Sequence, residues 1–531
     1  MDIKKISDSY SATGQITVND LKTIQESGFK TIFCFRPKTE DQATQPDQTK
    51  IKNAAKKLGI KFTAIPVIPG NITQDNVANF TNALSETALP ALGYCRSGGR
   101  ASSIYNEYLK FHSLETSQEV TGACNWSEAF DVVVVGGGAA GIGITASLLK
   151  RRKSLRIAVI EPSDDHYYQP AWTLVGGGTY NIKNTVRPII KVMPKKATLI
   201  KGSVKKFDPE NNRLVLNNGE TVPYHQLIVC PGLRLAWEKI EGLTETLGKN
   251  GVSSNYRFDL APYTFDCVQK LKKGKALFTQ PPMPIKCAGA PQKAMYMSAN
   301  YWERNKVLDN IDIEFFNAGP VLFGVADFVP PLMEYVKRYN AHLNFNHKLI
   351  KVDGKKKTAT FEYKDTAEKV KTKSVKFDFM HVVPPQEAPE FIQKSKLADA
   401  AGWLDVDQLT LQHKTYKNIF GLGDVINSPN AKTAAAARKQ IYVVAENLIA
   451  AKELREMVIH YDGYGACPLT VEKGKVVLAE FGFGGKLLPT FPLYPAKARW
   501  SSWFLKQTIM PWLYWNLMLK GIEWLAKPSR K

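Results

Sequence analysis

Short apolar runs alternate with amphipathic segments over the first 112 residues. The apolar, β-rich runs, which are typical of buried strands, are TIFCF (31–35), KFTAIPV (61–67) and ALGYC (91–95). The segments with a helical spacing of apolar residues lie near 18–27, 47–58 and 74–87. This pattern predicts a compact α/β domain over residues 1–112.

A second α/β pattern begins after a mixed polar stretch at residues 113–129, which we interpret as a linker. The sequence DVVVVGGGAAG (131–141) is an apolar strand that runs into a glycine turn, and the helix after it continues to about Lys150. Strands and short helices then alternate, as in nucleotide-binding α/β folds, which predicts a second domain over 130–495. The tail at 496–531 differs, because it is rich in Trp, Leu and Met.

With 531 residues, of which 44% are hydrophobic and 23% charged, the chain has the composition of a multidomain globular protein. The net charge of +22 favours anionic partners such as lipid headgroups, nucleic acid or a small anionic substrate, although solvated lysine-rich faces account for part of it. No nucleic-acid partner and no metal site are expected. The seven scattered cysteines argue against a secreted disulfide scaffold, and the N-terminus lacks the apolar segment of a secretory signal. We therefore expect the chain on the cytoplasmic side.

The glycine turn carries a dinucleotide-binding pattern, since Gly-x-Gly-x-x-Gly lies between a strand and a helix. The helix N-terminus there offers unpaired N–H groups to a pyrophosphate. The residues predicted to approach the phosphates are Gly136, Gly138, Ala139, Ala140 and Gly141. The next strand, RIAVIE, ends in Glu161, whose carboxylate is placed to accept hydrogen bonds from the adenosine ribose.

Later segments favour FAD over NAD as the dinucleotide. YHQLIVCPG (224–232) and IFGLGD (419–424) resemble the two further signatures of flavoproteins, and that resemblance implies that Asp424 hydrogen-bonds the ribityl chain of FAD. A flavoprotein that uses NADH would normally carry a second glycine fingerprint, but IDIEFFNAGPVLFGV (311–325) has only Asn-Ala-Gly-Pro after its strand. This difference weakens the nicotinamide hypothesis.

Two cysteines stand out because small or rigid residues flank them. Cys287 lies in PIKCAGAPQKAMY and Cys467 in YDGYGACPL, and such neighbours let a backbone come close to a flat cofactor. Sequence spacing does not show whether the two thiols meet. We expect Cys34, Cys230 and Cys267 to be buried, inert thiols.

Several stretches in this region resemble the sulfide:quinone oxidoreductases, especially the branch shared by bacteria and mitochondria. They are HYYQPAWTLVGGG (166–178), PIKCAGAPQKAMY (284–296), AAGWLDVD (400–407), GLGDVINSPNAKTAAAA (421–437), YDGYGACPL (461–469) and PWLYWNLMLKG (511–521). The likeness covers about residues 130–525.

The resemblance implies a flavoprotein with two dinucleotide-binding (Rossmann-like) domains, in which Cys287 and Cys467 form a redox pair that is often bridged by extra sulfur. The residues that it places on FAD are Gln169, Val204, Asp424 and Lys432. It implies sulfide and quinone as substrates and a sulfane-sulfur acceptor such as glutathione. A membrane-bound NADH:quinone oxidoreductase of related fold and a non-catalytic basic flavoprotein are the alternatives.

The tail has no apolar run of the ~18 residues that a spanning helix needs. Its aromatic and apolar residues instead follow a helical spacing before and after Pro511, with basic residues between them. They are Trp500, Trp503, Phe504, Trp512, Trp515, Leu519 and Ile522. This pattern favours an amphipathic segment that docks on the membrane surface, where a lipid-soluble quinone is reached. The alternative is packing against the protein's own core or a subunit partner.

The first domain carries Cys95-Arg-Ser-Gly-Gly-Arg100 between a strand and a helix, an arrangement that can hold an anion and stabilise a thiolate. Four residues separate Cys95 from Arg100, as in the loop of rhodanese-type sulfurtransferases, whereas cysteine phosphatases have five. Upstream, ISDSYSATGQIT and GFKTIFCFRP resemble the phosphatase-like domain found fused to β-lactamase-like hydrolases. We expect Cys95 and Arg100 to handle sulfane sulfur; phosphatase activity is the alternative.

Overall fold

The computed structural model describes residues 2–7, 9–38, 40–41, 45–85, 87–112, 128–429, 431–492 and 494–528. Contacts within the chain divide it into two units, residues 1–116 and residues 117–531. Almost all of the predicted linker at 113–129, including Cys124, lies outside the described residues.

The first unit is an α/β sandwich around one five-stranded sheet of order β1-β2-β5-β3-β4. Its strands are β1 (Ile3–Lys5), β2 (Tyr10–Thr13), β3 (Thr31–Cys34), β4 (Lys61–Ala64) and β5 (Ala91–Tyr94). Its helices are α1 (Leu21–Glu26), α2 (Gln48–Lys57), α3 (Gln74–Ser85) and α4 (Gly99–His112). Strands β2 to β5 pair in parallel, which requires helical crossovers, and β1 adds antiparallel to the edge.

Both faces of this sheet are covered, so the strands β2, β3 and β5 are buried throughout. One face packs an aromatic cluster that includes Tyr10, Phe33 and Phe80, and the other packs aliphatic residues such as Ile24 and Ile51. The predicted strands and helices of the first domain are confirmed, with ends shifted by a few residues.

The strands of the second unit are β6 (Phe130–Val135), β7 (Ile157–Glu161), β8 (Asp165–Tyr167), β9 (Val186–Pro188), β10 (Thr198–Lys201), β11 (Val204–Asp208), β12 (Arg213–Leu216), β13 (Thr221–Val229), β14 (Arg234–Leu235), β15 (Val252–Ser253), β16 (Gly274–Gln280), β17 (Ile311–Asn317), β18 (His342–Phe345), β19 (Lys348–Asp353), β20 (Thr358–Lys364), β21 (Val370–Lys376), β22 (Phe379–His381), β23 (Gln386–Glu387), β24 (Ile419–Gly421), β25 (Gly465–Glu472) and β26 (Lys475–Phe481). Its helices are α5 (Ala139–Arg151), α6 (Trp172–Gly176), α7 (Ile189–Val192), α8 (Leu243–Thr246), α9 (Leu260–Lys270), α10 (Ala290–Arg304), α11 (Val329–Arg338), α12 (Glu390–Gln393), α13 (Ala434–Lys452), α14 (Trp500–Phe504) and α15 (Met510–Asn516).

Two sheets form the framework of this unit. The first has the order β10-β7-β6-β13-β12-β11 with β24 also on β13; β10, β7, β6, β13 and β24 pair in parallel, whereas β12 and β11 add antiparallel at one edge. The second has the order β15-β22-β16-β17-β18 and is parallel throughout. Strand β6 leads through the glycine turn into α5, as the sequence predicts. The predicted pair of dinucleotide-binding folds is confirmed.

The tail forms α14, one π-helical turn (Leu505–Ile509) and α15. The prediction of a single membrane-facing stripe is wrong for three of its residues, because Trp503, Trp515 and Leu519 pack against the protein's own core. Trp500 and Trp512 are more than half exposed, at 66% and 56%. Phe504 and Ile522 are also exposed. Among the described residues, no helix is long and apolar enough to cross a membrane.

Candidate active site

A cavity of about 650 Å³ in the second unit is lined by the glycine turn, the segment that leads into α10, the β25–β26 hairpin and the tail. Its volume is in the ~300–1,000 Å³ range of cofactor and ligand sites. Most of the residues predicted to bind the dinucleotide line it, and they are Gly138, Ala139, Ala140, Glu161, Gln169, Asp424 and Lys432. Cys287 lines the same cavity. Residues that are far apart in sequence therefore meet at one site.

The glycine turn has the shape that a pyrophosphate requires. Gly136 has a φ of 106°, and a Cβ atom there would lie 2.6 Å from the Cys230 carbonyl oxygen, so only glycine fits. A Cβ atom on Gly138 would meet nothing within 4 Å, which leaves open space in front of the first turn of α5. The residues present therefore fit a dinucleotide at this helix N-terminus.

Glu161 sits at the end of β7, beside this turn. One carboxylate oxygen accepts a hydrogen bond from the Gly137 N–H at 2.7 Å, and the other accepts from the Ser163 N–H at 2.8 Å. The backbone thus fixes the carboxylate where it lines the cavity, in the position expected for a ribose contact.

Asp424 and Lys432 also line the cavity. The Lys432 Nζ atom donates to the Asp424 and Ile426 carbonyl oxygens at 2.7 and 2.8 Å and lies over the Trp403 ring. Burial lowers the pKa of Lys432 to about 8, and burial raises the pKa of the Asp424 carboxyl. Both residues are therefore placed to contact a ligand in the cavity.

Gln169 and Val204 differ in their placement. The Gln169 Oε1 atom accepts a hydrogen bond from Lys286 Nζ at 2.6 Å, and both side chains line the cavity. Val204 is buried in β11, among the core residues of the first sheet, and does not line this cavity. The predicted contact of Val204 with FAD stays a prediction.

The structure brings together the two cysteines that the sequence could not connect. Their Sγ atoms are 3.5 Å apart, and neither is in a disulfide. Cys287 lies in the loop between β16 and α10 at a φ of 50°, where its N–H donates to the Lys432 carbonyl at 2.8 Å. Cys467 lies on β25 and is almost fully buried. Cys287 lines the cavity, whereas Cys467 is not among the residues that line it.

Lys293, in the first turns of α10, is a site residue that our sequence reasoning missed. Its Nζ atom lies 3.0 Å from Cys287 Sγ and 3.8 Å from Cys467 Sγ. A hydrogen bond from Cys467, together with the positive charge of Lys293, holds the pKa of Cys287 well below its usual range. The same sulfur–sulfur hydrogen bond raises the pKa of Cys467 well above it. Of the two cysteines, Cys287 is therefore the one whose thiolate form is favoured.

A second buried lysine comes from the tail. Lys506 is 5% exposed, and its Nζ atom donates to the Pro468 carbonyl at 3.0 Å and to Thr470 Oγ1 at 2.5 Å. We expected the basic residues of the tail to meet lipid headgroups, which is wrong for Lys506. Burial lowers the pKa of this amine well below its usual range, and the charge of Lys293 lowers it further.

The predicted site in the first unit lies at the carboxyl end of β5. Cys95 is buried, and the Gly98 N–H points to its Sγ atom at 3.1 Å. Both terminal nitrogens of Arg100 donate to Glu40, at 2.6 and 2.7 Å. The predicted roles of Cys95 and Arg100 stay predictions. Cys34, Cys230 and Cys267 are buried, as predicted.

Comparison with known proteins tests the resemblance. Residues 130–440 match the family described as pyridine nucleotide-disulphide oxidoreductase. The chain is 38% identical over 402 residues to the mitochondrial sulfide:quinone oxidoreductase of Mus musculus, which covers 76% of this chain and 89% of that protein. For the mitochondrial sulfide:quinone oxidoreductase of Dictyostelium discoideum the identity is 40% over 399 residues, with 75% and 87% covered. The chain belongs to the sulfide:quinone oxidoreductase family.

Membership of the sulfide:quinone oxidoreductase family confirms the predicted activity, the oxidation of sulfide coupled to quinone, and FAD as the cofactor. The NADH:quinone oxidoreductase alternative is thereby set aside. The solved sulfide:quinone oxidoreductase of Aquifex aeolicus has the same fold, with a TM-score of 0.64 at 19% identity, over 74% of this chain and 92% of that chain.

The first unit has separate relatives. Residues 2–107 match the phosphatase-like domain of the β-lactamase hydrolase-like protein, as predicted. The β-lactamase hydrolase-like protein of Agrobacterium fabrum is 30% identical over 105 residues, which are 20% of this chain and 24% of that protein.

Proposed function

We propose that sulfide is oxidised at Cys287 and Cys467 and that these two residues cycle between disulfide and thiols. The observation that supports this role is the 3.5 Å separation of their sulfur atoms beside the cavity that fits FAD. Two S–S bonds of about 2.05 Å each span up to about 4 Å, so this separation also admits one bridging sulfur atom. A small approach of the two sulfurs closes a direct disulfide.

The chemistry starts from the disulfide. Hydrosulfide attacks the Cys467 sulfur, a new S–S bond forms there, and the bond between the cysteines breaks. The electron pair of the broken bond stays on Cys287 as a thiolate, which the Lys293 ammonium at 3.0 Å stabilises. Cys287 is the better leaving thiolate because its pKa is lowered while that of Cys467 is raised.

The outer sulfur of the Cys467 persulfide leaves when an external thiolate, such as that of glutathione, attacks it and forms a new persulfide. The two thiolates then rejoin as a disulfide and release two electrons. When bound in this cavity, FAD would supply the acceptor for this electron pair and the onward transfer of the pair to quinone. Cys287 is the donor to that acceptor, because it is the cysteine that lines the cavity.

Anaerobic stopped-flow reduction of the flavin by sulfide tests this role. Sulfide should bleach the flavin absorption band of the wild-type protein. The Cys287→Ser and Cys467→Ser variants should bind FAD, but their flavin should stay oxidised. The matched control is Cys267→Ser, which changes a cysteine packed in the second unit away from the cavity lining. Bleaching of both active-site variants at the wild-type rate would contradict the proposal.

The tail supports docking on the cytoplasmic surface of a membrane. Trp500, Phe504 and Trp512 are exposed, and Ile509 and Leu513 of the same segment line the cavity. Exposed tryptophans are suited to the headgroup region, and an apolar cavity wall beside them gives a lipid-soluble quinone a route to the site. Co-sedimentation with anionic vesicles tests this arrangement.

For the first unit we propose transfer of sulfane sulfur at Cys95. The Cys95 thiolate attacks the outer sulfur of thiosulfate, the S–S bond of thiosulfate breaks, and sulfite leaves with the electron pair. Cys95 then carries a persulfide, which raises the mass of its peptide by about 32 Da. Incubation of the full-length protein with thiosulfate, with Cys95→Ser as control, tests this step. Release of phosphate from an aryl phosphate without any gain of sulfur would favour the phosphatase alternative.

A further inference from the structure

Arg36 is a buried cation whose hydrogen-bonding capacity is only partly used. It follows β3 and is only 3% exposed, yet its Nε and Nη2 atoms have no hydrogen-bond partner among the described residues. Its Nη1 atom donates to Gln15 Oε1 at 2.7 Å. Buried charged groups are normally paired, so the two open guanidinium nitrogens indicate an acceptor that is not among the described residues.

One of the two open nitrogens, Nε, lies near the carboxylate of Glu40, which forms an ion pair with Arg100. Arg36 Nε lies 3.5 Å from Glu40 Oε1, which is too far for a hydrogen bond. Arg100 donates hydrogen bonds to both carboxylate oxygens of Glu40 and a further one to the Val67 carbonyl at 2.8 Å. The Glu40 carboxylate thus lies between two arginines and satisfies only one of them.

The same carboxylate lies beside the Cys95 loop. The hydrogen bond from Arg100 lowers the pKa of Glu40, and the charges of Arg36 and of Arg96 in the loop lower it further. Glu40 raises the pKa of Arg100, and the Cys95 sulfur is a further neighbour that raises it. Arg36 and Arg100 lie beside this carboxylate, so two positive charges accompany its single negative charge.

We propose that Arg36, Arg100 and the Cys95 loop bind a small tetrahedral dianion, and that the Glu40 carboxylate occupies this site until such an anion displaces it. A carboxylate offers two oxygens and one negative charge, whereas thiosulfate or phosphate offers more acceptor oxygens and two charges. The larger anion can therefore satisfy the open nitrogens of Arg36 as well as Arg100. For thiosulfate, this inference rests on the sulfur transfer proposed for Cys95, because it supplies the binding step.

Glu40 then acts as an internal competitor for the ligand. Weak anions such as chloride or a carboxylate metabolite do not displace it, because they bring no more charge than Glu40 itself. Removal of its charge should expose both arginines and increase affinity for either dianion. Arg36 should matter for ligand binding even though it lies outside the Cys95–Arg100 segment.

Calorimetric titration of the full-length protein with sodium thiosulfate and, separately, with inorganic phosphate tests the site. Glu40→Gln should bind the dianion about tenfold more tightly than wild type, the effect of removing one charge-assisted competitor. Arg36→Met should abolish binding in both backgrounds. Glu26→Gln, which removes an exposed carboxylate of the same unit, is the matched control and should bind as wild type. Equal or weaker binding by Glu40→Gln would overturn the displacement.

Amide hydrogen exchange of unmodified protein keeps the test independent of how the variants fold. When the dianion is added, the peptide that covers residues 93–101 of the loop should exchange more slowly. The peptide that covers residues 36–41, around Glu40, should exchange faster. No change in either peptide with both anions would overturn the site. If phosphate slowed amide exchange in the loop and thiosulfate did not, the anion site would stand, but thiosulfate would be ruled out as its ligand. Binding of thiosulfate without a gain of sulfur on Cys95 would retain this inference and refute the proposed transfer.

Discussion

Replacement of Lys293 by Met should shift the pH dependence of sulfide oxidation to higher pH. Lys293 Nζ lies 3.0 Å from Cys287 Sγ, and the side chain is buried. At an effective dielectric constant of about 20, a charge pair at this distance attracts by about 5 kcal/mol, part of which offsets the cost of burying the ammonium. A charge-assisted hydrogen bond contributes about 1.5–3 kcal/mol net, which corresponds to roughly 1–2 pKa units.

The sign follows from which form the lysine stabilises. The ammonium favours the thiolate, so its removal raises the pKa of Cys287, and the thiolate then forms only at higher pH. Below the new pKa, the thiolate fraction should fall by about tenfold for each unit of the shift. Methionine keeps the length and packing of the side chain, so the change isolates the charge.

The measurement is the rate of flavin bleaching by sulfide between pH 6 and pH 9 under anaerobic conditions. Ionisation of sulfide affects both proteins equally, so the difference between their profiles reports the enzyme. Lys293→Arg should restore part of the wild-type profile, and Lys486→Met, at an exposed position, serves as the control. Superimposable profiles for Lys293→Met and wild type, with equal FAD content, would refute the reasoning.

Three further results are expected. Cys287→Ser and Cys467→Ser should each reduce sulfide-dependent quinone reduction by orders of magnitude while FAD stays bound, as the absorption spectrum and turnover assay will show. Trp500→Ser combined with Trp512→Ser should weaken sedimentation with vesicles and slow quinone reduction more than flavin reduction; unchanged sedimentation would contradict tail docking. Cys95→Ser should leave sulfide oxidation unaltered and prevent the gain of about 32 Da from thiosulfate, measured by mass spectrometry.

The elements that the sequence predicts well are those whose cause is local. Strand β6, the glycine turn at Gly136 and α5 follow from an apolar run and a backbone position that only glycine tolerates. The meeting of Cys287 and Cys467 has no local cause, because the two residues are 180 positions apart and the fold alone brings them together. Resemblance to a family, and not spacing, supplied that pair.

Lys293 could have been found from its position. It lies six residues after Cys287, at the start of a helix, and its neighbours on α10 are almost all buried. A lysine in such surroundings needs an anionic partner, and a cysteine thiolate is the nearest candidate. The pairing of Glu40 with Arg100 has no such signal, since 60 residues separate them and both are ordinary surface residue types.

The tail shows that a stripe of apolar residues in a sequence does not reveal whether a membrane or the protein's own core contacts those residues. Residues 500 and 512 are twelve apart, so a regular α-helix would turn them about 120° away from each other. The π-helical turn Leu505–Ile509 lies between them and rotates the chain by a smaller angle per residue than an α-helix does. The side chains of Trp500 and Trp512 are therefore turned towards the same side of the segment. Lys506, inside that turn, is buried and donates to the strand that carries Cys467. One segment therefore presents aromatic residues outward and supports the cysteine pair inward. Changes at its exposed face should leave the pKa of Cys287 unaltered, because Lys506 is held by backbone and hydroxyl oxygens of β25.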